Sequence, residues 1–137
     1  MSKWGILGQV FGLGRASRFG EVDAMIDGYR FGAMDIGGTT YQADLKIVRG
    51  QVVAHWWRRE GHKVCVDDIR DILEARPKVL VIGRGKPGFM KPGSDVRRVC
   101  SEMGIRLVDE PTESAVRTFN ELVASGEDAA AAFHLTC

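Results

Sequence analysis

The sequence predicts an α/β domain with a largely parallel central sheet, and three observations carry that expectation. Val79-Leu80-Val81-Ile82 is a short apolar run without polar alternation, the pattern of a strand covered on both faces. It runs straight into the glycine-rich, basic loop Gly83-Arg84-Gly85-Lys86-Pro87-Gly88, at the strand end where α/β proteins place ligands. From there to the last residue, strand and helix patterns alternate, which implies βαβ crossovers.

The elements follow in order. Val22, Ala24 and Ile26 alternate, Asp27-Gly28 is a hairpin turn signal, and Tyr29 and Phe31 resume the alternation, so a β-hairpin should open the domain. After Gly37-Gly38 a second antiparallel pair is expected, from Tyr41 to Ile47 and from Val52 to Trp57, joined by Arg49-Gly50. The period then changes: Ile69, Ile72 and Leu73 lie at helical spacing behind Asp67, a cap residue, with Pro77 beyond the end. Ser94 can cap a second helix with Val96, Val99, Cys100 and Met103 on one face, stopped by Gly104. Strand Ile105 to Val108 follows. Thr112 can cap a third helix with Val116, Phe119 and Val123 inward, ended by Gly126, before a small-residue strand from Ala129 to Leu135. The hairpins add to the parallel sheet as an antiparallel layer or edge.

Composition limits what this chain can be. With 137 residues, 45% hydrophobic and 27% charged, it fits one domain able to bury a core without staples. Nineteen basic against eighteen acidic residues leave no global field for nucleic acid or membrane, so any such contact must be local. Cys65, Cys100 and Cys137 are odd in number and far apart, which argues against a disulfide framework or a zinc site and for a reducing, cytoplasmic compartment. Cys100 falls on an apolar helix face and should be core. No run approaches the roughly 20 apolar residues of a membrane span. Residues 1–20 carry Lys3, Arg15 and Arg18 and no acid, and five glycines oppose the helix a transit peptide needs. They read as a flexible or loosely docked extension to a domain at 21–137, with Trp4, Leu7 and Phe11 able to share one helical face.

Several motifs could carry chemistry. Gly83-x-Gly85-x-x-Gly88 satisfies the dinucleotide fingerprint literally, with Asp109 near the place of a ribose-binding acid. However, five residues separate Gly88 from Ser94, and Pro87 removes a donor from any phosphate cradle. No nucleotide or other cofactor is therefore called for. Glycine dihedrals for leaving the sheet account for the loop equally well, and a small anion held by its amides with Arg84, Lys86 or Lys91 is the ligand reading. Trp56-Trp57-Arg58-Arg59-Glu60-Gly61-His62-Lys63 mixes aromatics and cations, as single-stranded nucleic-acid platforms, protein contacts and plain strand ends all do. One of the adjacent tryptophans must face opposite to the other, so one should be core and the other cover a surface. His134 and Cys137 lie three apart, which on a strand puts them on opposite faces and opposes a shared metal; a packed, hydrogen-bonded His134 is expected. His62 and Cys65 are equally spaced in a loop, but no third residue orients a nucleophile. No catalytic set and no metal site emerge.

Tyr29-Arg30-Phe31-Gly32, Tyr41-x-x-Asp44, Trp57-Arg58-Arg59-x-Gly61-His62, Val81-Ile82-Gly83-x-Gly85-x-x-Gly88, Pro111-Thr112 and the ending Ala131 to Cys137 are similar to one family of small α/β proteins. That family includes archaeal and bacterial hypothetical proteins, the animal adipogenesis-associated domain proteins and mitochondrial complex I assembly factor 3. The resemblance spans roughly Ile26 to Cys137. It implies three layers: a β-hairpin layer with a helix, a mixed, largely parallel central sheet, and further helices. It brings no catalytic residues with it and suggests a non-catalytic protein-interaction or assembly role. Trp56, Arg58, Arg59 and His62 are then the candidate partner contacts. The alternative is a binding protein for a small anionic ligand at Gly83, Arg84, Gly85, Lys86, Gly88 and Lys91. A homo-oligomer through strand edges or Trp56 is compatible with either.

Overall fold

The computed structural model describes residues 24–137. The basic extension and Trp4, Leu7 and Phe11 lie outside the described residues. Among the described residues, ten strands, three α-helices and one 3₁₀ turn make three layers, as the resemblance implies.

The first layer is an antiparallel sheet of β1 (Ile26–Arg30), β2 (Ala33–Ile36) and β3 (Thr39–Tyr41). Asp27-Gly28 is not its turn. Both residues lie inside β1 at a bulge, the register stepping from Ile26 opposite Ile36 to Gly28 opposite Asp35. The Asp27 carboxylate instead accepts the Gly37 N–H across the open end of the hairpin (2.8 Å). The turn falls at Phe31-Gly32, where Gly32 takes φ +84°, a region open to glycine at little cost.

The central sheet has the order β5-β4-β10-β7-β9, with β4 (Leu45–Val48), β5 (Gln51–Val53), β7 (Val79–Gly83), β9 (Arg106–Glu110) and β10 (Ala129–Phe133). Strands β10, β7 and β9 are parallel, β4 runs antiparallel to β10, and β5 runs antiparallel to β4, so the sheet is mixed. The expected strand from Tyr41 to Ile47 is two strands in two sheets. Gln42 to Asp44 carry the chain between layers, and Asp44 spends its side chain on the far end of the molecule, as described below. The return strand stops at Val53, because His55 turns left-handed (φ +57°) and Trp56 donates its N–H to the Asp44 carbonyl (2.7 Å). Two short parallel strands, β6 (Lys63–Val64) and β8 (Lys91–Pro92), pair outside this sheet.

Helices close both faces. α3 (Thr112–Ala124) and the three-stranded sheet cover the face that carries Val79, Val81, Ala131 and Phe133. α1 (Arg70–Ala75), α2 (Ser94–Met103) and the 3₁₀ turn Val66–Ile69 cover Leu80, Ile82, Ala130 and Ala132. The apolar run at β7 is thus buried on both faces, and Cys100 is core. Asn120 on α3 both accepts the Ile26 N–H (2.9 Å) and donates to its carbonyl (2.8 Å), so a helix side chain completes the strand edge of β1.

The helix starts differ from expectation by a residue or so. Asp68, not Asp67, accepts the Cys65 N–H (2.7 Å), while Asp67 faces Arg70. Gly93 and Pro111 hold the cap positions before Ser94 and Thr112. Gly104 (φ +72°) ends α2 as anticipated. No helix among the described residues is long and apolar enough to cross a membrane.

Candidate functional site

A cluster of buried and half-buried polar residues, His134, Thr112, Asp44 and Arg58, forms where β7 and β10 end. Asp44, stepping out of the strand path between β3 and β4, accepts three hydrogen bonds on its carboxylate. Its Oδ1 takes the Leu135 N–H (2.8 Å), and its Oδ2 takes both the Arg58 guanidinium (2.8 Å) and His134 Nδ1 (2.8 Å). The Arg58 side chain is 5% exposed, also donates to the Gly61 carbonyl (2.8 Å), and lies over the Trp56 ring at 4.6 Å. Trp56 in turn is held by its indole N–H to the Asp68 carbonyl (2.8 Å). Burial works against the charge on Asp44, but the hydrogen bonds from His134, the Leu135 amide and Arg58 outweigh it and hold its carboxyl below the ordinary value. Nδ1 faces both the Asp44 carboxylate (2.8 Å) and, farther off, the Arg58 guanidinium (3.3 Å); the closer carboxylate favours a neutral imidazole with its proton on Nδ1 and its lone pair on Nε2. Nε2 is buried and has no protein partner among the described residues, a state that costs about 1–3 kcal/mol.

The glycine loop wraps the other side of this ring. Thr112 Oγ1 accepts the Gly85 N–H (2.8 Å) and donates to the His134 carbonyl (2.6 Å), fully buried. The His134 N–H returns to the Gly83 carbonyl (3.0 Å), and Lys86 N–H donates to the Thr136 carbonyl (2.9 Å). The sequence marked Thr112 as a helix cap, whereas it is a rivet between loop and final strand. Thr112→Val should lower stability by about 1–3 kcal/mol, since two buried groups lose one partner, and Thr112→Ser should restore most of it. Urea unfolding of the two variants reads this directly.

The structure distributes the sequence candidates unevenly. Trp56 (7% exposed) is buried and Arg58 is half-buried with its side chain 5% exposed, so the two present little surface to a partner. Trp57 is 77% exposed, so one tryptophan is core and the other at the surface as expected, although the strand ends at Val53 before either. Arg59 and His62 are exposed, and the His62 ring meets Phe89 and His134 edge on, each at 6.0 Å. In the loop, the amides of Arg84, Gly85 and Lys86 are all engaged within the fold. Arg84 also bonds the Gly88 carbonyl and pairs with Asp109. Lys86 approaches only the exposed Glu113 (3.9 Å), and Lys91 is exposed. An amide cradle therefore does not form, and what the loop offers an anion is the ammonium groups of Lys86 and Lys91. Burial and the neighbouring Asp68 and Asp95 push the Cys65 thiol up, which disfavours a thiolate nucleophile. No group of three or more histidine, cysteine or carboxylate side chains able to hold a metal occurs among the described residues.

Asp44 and His134 are 90 residues apart, and no spacing rule connects them. Their only sequence signal was membership in the motifs of the family resemblance.

Residues 26–134 match the family described as "Protein of unknown function (DUF498/DUF598)". Among solved structures, the protein MT938 is 26% identical, with 83% of this chain and 99% of that chain covered at a TM-score of 0.68. A structure described as an outer membrane protein from Bartonella henselae is 24% identical over 85% and 98% of the two chains, TM-score 0.74. The conserved hypothetical protein PH1505 from Pyrococcus horikoshii OT3 is 23% identical over 82% and 98%, TM-score 0.69. The last two likenesses speak to the fold alone.

Proposed function

Because the chain belongs to the DUF498/DUF598 family, whose description names no activity, we propose from its geometry that it is a non-catalytic protein-interaction module of the assembly-factor kind. One observation carries this reading: Trp57, the most exposed large aromatic among the described residues, is flanked in sequence by two immobilised neighbours. Trp56 is buried in the core and Arg58 is locked to Asp44 and Gly61. A tryptophan presented from a rigid base loses little freedom on binding, which is the property of interface anchors. Arg59, His62 and the exposed Phe89 extend the aromatic and cationic character of the surface. The three unpaired cysteines support a reducing, cytoplasmic setting for it.

The test is a photo-activated cross-linking residue placed at Arg59 or Phe89 in cells, with Glu74 on α1 as the control position. A discrete protein adduct is expected from the first two positions and not from the third. Trp57→Ala should reduce that adduct by about tenfold or more, the effect of losing an anchor, while leaving thermal stability unchanged. Adducts that are equal from Glu74, or indifferent to Trp57→Ala, would end the proposal.

A further inference from the structure

Independently of the protein-contact reading, we propose that His134 Nε2 is the recognition group of a small-ligand site that takes an oxyanion bearing an O–H, such as a hydrogen phosphate group. Three features of the molecule converge on this. First, the imidazole is fixed from behind: Asp44 Oδ2 lies 2.8 Å from Nδ1, and the same carboxylate is itself anchored by Arg58 and the Leu135 amide. A carboxylate behind a histidine fixes the ring and leaves Nε2 as a strong acceptor, so the site reads a donor, not a second acceptor.

Second, the acceptor is prepared and unused. The His134 side chain is 9% exposed, and Nε2 has no partner among the described residues. Buried polar atoms are almost always satisfied, and an acceptor held this firmly without a donor marks the place where one is supplied from outside. The ring is covered on one side by Gly85, where an added Cβ would stand 2.7 Å from Cδ2. His62 stands over it edge on, and Phe89 stands against His62, both of them exposed on their outer sides.

Third, the charge around the entrance suits an anion. Lys63 and Lys91 are opposite one another in the β6–β8 register and both are exposed, and Lys86 follows Gly85 directly. Arg58 and Asp44 neutralise each other and Glu113 stands 3.9 Å from Lys86, which leaves Lys63 and Lys91 to lend the approach its positive sign. The site lies at the carboxyl ends of β7 and β10, the usual ligand edge of such sheets. An anion without a proton would present only acceptors to Nε2, so the O–H is what the site selects.

The test uses the full chain labelled with ¹⁵N and long-range imidazole NMR, with inorganic phosphate as the probe and sulfate at matched ionic strength as its proton-free counterpart. At a pH where the imidazole is neutral, His134 should appear as the Nδ1–H tautomer, and phosphate should move its Nε2 resonance saturably. Sulfate should need at least about tenfold more salt for the same change, the worth of one hydrogen bond to a charged partner. Lys86→Ala/Lys91→Ala should weaken the phosphate response about threefold to tenfold without changing the tautomer. An Nε2–H tautomer, an equal response to sulfate, or no saturable response to phosphate would each overturn the proposal. All three are read on the unmodified protein, so none depends on a variant that might not fold, and none depends on the Trp57 cross-linking result.

Discussion

Replacing Asp44 by alanine is expected to destabilise the protein by about 3–5 kcal/mol, the cost of removing one partner from a buried charge pair. The size follows from what is left behind. Arg58, 5% exposed, would keep its charge with only the Gly61 carbonyl and the Trp56 face for company. The Leu135 N–H and His134 Nδ1 would lose their acceptor in the same step. Asp44→Asn should cost less, because the amide oxygen can still accept from one neighbour, but it cannot balance the guanidinium. Chemical denaturation of the three proteins orders them, and an Asp44→Ala variant within 1 kcal/mol of the native protein would show that the cluster does not hold the layers together. The same residue shapes acid stability. Its folded-state pKa lies below the ordinary 3.8, because the hydrogen bonds from His134, Leu135 and Arg58 more than offset its burial. A depressed folded pKa means stability that is present above the unfolded value and is lost as the pH falls from 3.8 through the folded value. The native protein should therefore lose its advantage over Asp44→Asn only below pH 3.8. Unfolding midpoints measured across that range check the sign.

Gly85→Ala is expected to be nearly as damaging, by about 3 kcal/mol or more, for a reason unrelated to charge. Gly85 sits at φ +98°, and a Cβ there would run into the Thr136 carbonyl oxygen and stand 2.7 Å from His134 Cδ2. Neither obstacle is the loose end of a flexible side chain. Gly104→Ala isolates the dihedral penalty, since Gly104 has φ +72° with nothing within 4 Å of its would-be Cβ. That variant should lose only about 1 kcal/mol, the cost of the left-handed region by itself. The difference between the two is the close approach of the loop to the last residues of the chain. Equal losses would mean the loop is free to move away from His134.

The resemblance's motifs, composed largely of glycines and polar residues, acquire a physical meaning from this. Gly83 and Gly85 in the loop are required by contact with Phe133, Thr112 and His134, not by a phosphate. For that reason the dinucleotide fingerprint was a poor guide: its spacing is satisfied, but the loop amides are bonded to Glu110, Thr112 and Thr136. In the aromatic and basic segment the two adjacent tryptophans differ in burial, as expected. Trp56 and Arg58 attract notice by residue type, yet a buried hydrogen-bond network claims both, and Trp57 and Arg59 are left to solvent.

What the sequence determined by itself is what local pattern controls. The unbroken apolar run of β7 required cover on both faces, the helical stripes around Val96 and Val116 placed α2 and α3, and Gly104 ended a helix where its dihedral was needed. These follow from periodicities of two and 3.6 residues, which a chain displays without reference to anything distant. What only the tertiary structure decided is where polar side chains find their partners. Asp27 could have closed a turn and closes a hairpin's far end; Thr112 could have capped a helix and joins a loop to a strand; Asp44 could have sat within a strand and instead lies between two and reaches His134, 90 residues away. A buried donor or acceptor must be satisfied by whichever group the packed layers bring within about 3 Å, and that neighbour is fixed by the stacking of layers, not by position along the chain.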